Sequence, residues 1–88
     1  MSEYRLDVKG SVDLSDYGNI YEYMDIIGVN DKFTISMDYL DEKNIELIIT
    51  MLKYKDFTIV DNGKNEQGKY YIKAHKDSSQ FRHIQINN

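Results

Sequence analysis

"KFTISMDYLDEKNIELIITMLKY", residues 32–54, changes its period partway along. Phe33, Ile35 and Met37 alternate with Lys32, Thr34, Ser36 and Asp38, the two-residue period of a strand with one buried face. From Ile45 the apolar positions become Ile45, Ile48, Ile49 and Leu52, one face of a helix. Asp38 or Asp41 stands where that helix must begin, offering a carboxylate to its free N–H groups. A strand that passes directly into an amphipathic helix is the unit from which this chain is built.

The same unit precedes it. Tyr4, Leu6, Val8, Gly10, Val12 and Leu14 hold every even position, which reads as a strand bent or bulged at Gly10. Ser15 and Asp16 then offer N-caps to "DYGNIYEYMDII", residues 16–27, where Ile20, Tyr23, Met24 and Ile27 keep helical spacing. Gly28, followed by Val29, reads as a left-handed C-terminal stop. Beyond the second helix, Phe57–Asp61 and Lys69–Lys76 read as strands joined by the glycine-bounded loop "DNGKNEQG". "FRHIQI", residues 81–86, reads as a short edge strand after the "KDSS" turn.

The order is therefore β-α-β-α-β-β(-β), an α+β chain. Its expected architecture is a two-layer sandwich, with two helices on one face of a largely antiparallel four- or five-stranded sheet. Strands that alternate, rather than run continuously apolar, leave the other sheet face open to water. The 88 residues suit one domain, 1–88, and the 41% apolar and 30% charged fractions are those of a folded chain.

The absence of cysteine excludes disulfides and thiolate zinc sites. "MSEYRLDVKG" lacks the apolar run of a signal peptide, and the longest aliphatic run, "LII", is far too short to span a bilayer. The expectation is a cytoplasmic protein without a membrane. Abundant Ile, Lys, Asn, Asp and Tyr, with no Pro or Trp, points to an AT-rich genome such as a low-GC bacterium or one of its phages or mobile elements.

Charge is unevenly distributed. Residues 1–47 hold eleven acids and four bases, whereas residues 48–88 hold four acids and seven bases. The window from Gly10 to Asp31 has five acids and no lysine or arginine. Such a surface repels nucleic acid and attracts a basic protein.

Three motifs suggest chemistry and do not carry it. "GKNEQGKY", residues 63–70, has the spacing of a phosphate-binding loop, but Tyr70 replaces the small hydroxyl and a strand pattern follows where a helix is needed. His75 and His83, with Asp77, are too few and too loosely spaced for a metal site. Asp38, Asp41 and Glu42 are acids where a helix begins, so capping explains them. No catalytic set is recognisable, and no cofactor or metal is implied.

Eight of the eleven aromatic residues are tyrosines, side chains that bury a ring while keeping a polar tip. Tyr17 and Tyr21 flank the first helix's apolar stripe near Asp16, Glu22 and Asp25, a set suited to an arginine-rich surface. The functional expectation is a non-catalytic protein-binding module, a small acidic inhibitor or regulator that occludes a basic partner through those five residues. The alternative is a single-stranded nucleic-acid binder using Lys69, Tyr71, Lys73, His75, Lys76 and Arg82 on the C-terminal hairpin. A more remote reading is a structural or oligomerisation protein. On the second helix, Leu47, Met51 and Tyr54 make a second apolar line, to be covered by the first helix, by the segment around Phe81 and Ile84, or by a twin subunit. Monomer and homodimer through that helix are both expectations.

Overall fold

A computed structural model describes residues 2–39 and 41–77. Within them the chain forms β1 (Glu3–Val8), α1 (Leu14–Ile26), β2 (Lys32–Met37), α2 (Glu42–Tyr54), β3 (Phe57–Lys64) and β4 (Tyr70–Lys76). The strands lie in the order β1-β2-β4-β3. β1 runs parallel to β2, and β4 is antiparallel to both of its neighbours. This is the expected two-layer α+β arrangement with four strands. The strand read over 81–86, with Phe81, Arg82, His83 and Ile84, lies outside the described residues.

Strand parity sorts the side chains. Val8, Phe33, Ile35, Met37, Phe57, Ile72 and Ala74 are buried on one sheet face. Ile20, Met24 and Ile27 from α1, and Ile45, Ile48 and Leu52 from α2, close over them in the same cluster. Phe33 sits at its centre, its ring 5.8 Å from that of Tyr23 and 6.2 Å from that of Phe57.

Several local expectations are corrected. β1 ends at Val8, and Gly10 lies past it with φ +70°, so Val12 and Leu14 are not strand. The even alternation ran on through residues that turn. Asp13, not Ser15 or Asp16, caps α1. Its carboxylate accepts from the Asp16 N–H at 3.0 Å, while its own N–H donates to the Asp16 carboxylate at 2.9 Å, a reciprocal capping box. That bond and the Ser15 hydroxyl, which donates to Asp13 at 2.8 Å, hold the Asp13 pKa below the usual carboxylate value, the hydroxyl most strongly.

At the other end of α1, Ile27 leaves the helix in an extended conformation, and Gly28 is not left-handed. Asn30 takes the positive φ instead, 72°. The Asp31 carboxylate gathers the N–H groups of Ser2 at 2.9 Å and Gly28 at 3.0 Å, which sets the turn without a glycine stop. Asp41 caps α2, accepting from the Lys43 and Asn44 N–H groups. Asp38 is used elsewhere: it accepts the Gly10 N–H at 2.8 Å and meets the Lys69 ammonium at 3.5 Å. β3 runs three residues further than its pattern suggested, with a register shift between Ile59 and Asp61.

Candidate protein-binding surface

Side chains on α1 and α2 meet in rows. On α1, Leu14, Tyr17, Tyr21 and Asp25 succeed one another at three- and four-residue steps, a line along one flank of the helix. On α2, Asn44, Leu47, Met51 and Lys55 do the same, with Tyr54 beside the last. The Tyr17 hydroxyl donates to the Asn44 side chain at 2.5 Å, and Lys55 reaches the Asp25 carboxylate at 2.9 Å. Start meets start and end meets end, so the two helices run in the same direction. Strand-helix-strand crossovers between parallel strands produce that arrangement.

The candidate residues on α1 are thus largely committed within the chain. Asp16 belongs to the capping box. Tyr17 is half-buried, and burial, helped by the nearby Asp41 charge, pushes its phenol pKa up. The Lys55 ammonium sits 4.6 Å from the centre of the Tyr21 ring as well as against Asp25. The chain supplies its own cation to the aromatic–acid pair. Its hydrogen bond to Asp25 holds Lys55 in its charged form, raising its pKa. Glu22 is exposed, with no ion pair among the described residues.

What the seam leaves uncovered is apolar. Leu14 is 85% exposed, Tyr21 46%, Leu47 48% and Tyr54 83%. Met51, the middle of the second apolar line on α2, is half-buried against the core, so only Leu47 and Tyr54 of that line remain open. Leu14 escaped the sequence reading because its even position placed it in a strand. Over residues 13–27 and 41–55, seven acids face three lysines, an excess of four negative charges.

The fold divides the residues of the basic alternative between the two sheet faces. Lys76 shares the inward parity of Ile72 and Ala74, and its ammonium donates to the main-chain carbonyls of Met24 at 3.0 Å and Ile27 at 3.1 Å. It is therefore no part of an outer basic surface. Its parity alone would have revealed this. Lys69 pairs with Asp38. Tyr71, Lys73 and His75 do share the outer sheet face, as expected from their odd positions. Tyr71 donates to Asp61 at 3.0 Å, which pushes its pKa up, and His75 lies 3.5 Å from Asp77. Arg82 lies outside the described residues.

The glycine-bounded loop is a tight turn, closed by Asn65 N–H to the Lys69 carbonyl and Gly68 N–H to the Asn65 carbonyl. It leads into β4 and not into a helix, so no helix terminus faces a phosphate there. Among the described residues, no group of three histidines or carboxylates is placed to hold a metal ion, and no helix is long and apolar enough to cross a membrane. Compared with protein-family models, curated proteins and solved structures, the chain matches none of them.

Proposed function

We propose that this chain is a non-catalytic protein-binding module whose helical layer docks on, and occludes, a basic surface of a partner. One observation carries the reading. Leu14, Tyr21, Leu47 and Tyr54 border a single helix–helix seam, uncovered, on a layer with four excess negative charges. Apolar anchors within a field of one sign suit a complementary protein surface: burial of the anchors supplies affinity and the charge supplies steering. This revises the contact set expected from sequence. Glu22 stays in it as an open charge, joined by Glu46, while Asp16, Tyr17 and Asp25 act mainly to hold the helices in place.

Capture from an extract of the source cell, quantified by mass spectrometry, tests the reading with two variants. Leu47→Ser/Tyr54→Ser removes anchors, and Glu22→Lys/Glu46→Lys reverses open charge. The expected result is one basic protein retained by the wild type, weakened by both variants and increasingly released by salt. A partner held equally by all three chains would overturn the proposal.

A further inference from the structure

Among the described residues β1 is an edge strand, with no strand on its outer side, and that edge is regular. The Lys32 N–H bonds the Ser2 carbonyl at 2.9 Å, and Glu3 is level with Lys32 in the parallel register. Alternation along the strand then turns the N–H and C=O groups of Tyr4 and Leu6 toward β2. Those of Glu3, Arg5 and Asp7 point away from the sheet. The opposite edge, β3, is broken by the irregularity between Ile59 and Asp61, the usual defence of an exposed strand. β1 carries no such defence between Glu3 and Val8.

We infer that the β1 edge pairs antiparallel with β1 of a second copy of this chain, about a two-fold axis at Leu6. In that register Arg5 faces Asp7 of the second copy and Asp7 faces its Arg5. Lys9, the residue after β1, comes opposite Glu3 in the same reciprocal way when the pairing continues one residue past Val8. On the helix-covered side Leu6 meets Leu6, and Tyr4 meets Val8. Every outward-facing charge therefore finds its opposite. Neighbouring registers lack this property. An axis at Arg5 sets Arg5 against Arg5 and Glu3 against Asp7, while an axis at Asp7 sets Asp7 against itself and Arg5 against Lys9. A half-step would turn the outward side chains onto the wrong face. Arg5 and Asp7 are also residues whose backbone groups point away from β2, so that pair can exchange both N–H···O=C bonds.

Arg5 and Asp7 are 69% and 57% exposed, and their in-chain contact is long, 3.9 Å. The Asp7 Oδ1 that makes it also accepts the Ser36 hydroxyl at 2.9 Å, which leaves Oδ2 for the guanidinium of a second chain. Glu3 and Lys9 have no ion pair among the described residues. Tyr4 and Leu6 are only half-buried and pack at the rim of the core, so an added strand would cover them. The axis lies perpendicular to the sheet. Both helical layers therefore end on the same side of one continuous sheet, and the surface proposed for the partner is left open and doubled. The inference does not depend on that partner.

Sedimentation of the purified chain up to millimolar concentration tests it. The wild type is expected to form a particle of twice the 10.4 kDa chain mass. Arg5→Glu and Asp7→Lys should each weaken the dimer by about tenfold or more, since each sets two like-charged pairs about the axis. An equimolar mixture of these two variants should dimerise again. In the mixed pair the introduced glutamate faces the introduced lysine, and the native Asp7 of one chain faces the native Arg5 of the other. Glu3→Lys and Lys9→Glu form a second such set that breaks no in-chain ion pair, and circular dichroism confirms folding throughout. A wild type that stays monomeric, a dimer indifferent to Arg5→Glu, or folded variants whose mixture stays monomeric would each overturn the inference.

Discussion

The ammonium of Lys76 lies 3.0 Å from the main-chain carbonyl of Met24, fifty-two residues away in sequence. With the Ile27 carbonyl at 3.1 Å and the Phe57 ring 5.7 Å away, it closes the C-terminal end of α1, whose last turn contains no basic residue. A cation there meets the negative end of the helix dipole and satisfies carbonyls that the helix leaves open. Lys76→Met keeps the stem and removes the charge. It should cost about 1–2 kcal/mol in urea unfolding.

Lys55 couples the two helices at the opposite flank of α1. Its side chain is 24% exposed and that of Asp25 57%, so solvent screens the pair. A double-mutant cycle between Lys55→Met and Asp25→Asn should give a small favourable coupling that declines with salt. A cycle between Tyr21→Leu and Lys55→Met should return a smaller value of the same sign.

Acid should weaken the link between the β1–α1 turn and β4. The Gly10 N–H, and after it the Lys69 ammonium, hold the Asp38 carboxyl below the usual carboxylate range. The Ser2 N–H, with that of Gly28, does the same for Asp31. A folded pKa below the unfolded one gives stability that is present above the unfolded value. It is lost as pH falls through the folded value. The stability gap between wild type and Asp38→Asn should therefore be clear at neutral pH and narrow below about pH 4, read from urea midpoints across the series.

Gly18 sits inside α1 without a positive φ, and a Cβ built there meets nothing within 4 Å. Gly18→Ala should raise stability by about 0.5–1 kcal/mol, since it removes only backbone freedom of the unfolded chain. Gly10 is equally uncrowded but has φ +70°. Gly10→Ala should lose about 1 kcal/mol, because an alanine is strained in that backbone region. Thermal melts of the pair separate the two effects.

Element order and the inward set were legible because the period of the apolar residues is imposed by burial. Phe33, Ile35 and Met37 could be read directly, as could Ile45, Ile48 and Leu52. Boundaries were legible only where one chemistry dominated. Asp41 capped α2 as read, but Ser15 and Asp16 lost α1 to Asp13, whose reciprocal bond with Asp16 no single-residue preference reveals. The candidate surface was half-visible. Tyr17, Tyr21 and Asp25 were found by composition, yet their use depends on Asn44 and Lys55, twenty-seven and thirty residues on. Such contacts follow from how the layers stack, and no local pattern carries them.

β4, the last described strand to be synthesised, occupies the middle of the sheet, between β2 and β3. A ribosome that has delivered both helices and three strands has therefore made a chain whose β2 and β3 have no strand to join them. Ile35 and Ile59 must wait for Ile72 and Ala74 before their layer is complete. A nascent chain halted at the 65–68 turn would leave β1 and β2 as the only neighbouring strands able to pair. The chain should pass from open to folded late and in a single step, and a stop codon at Tyr70 should yield a product that proteases remove.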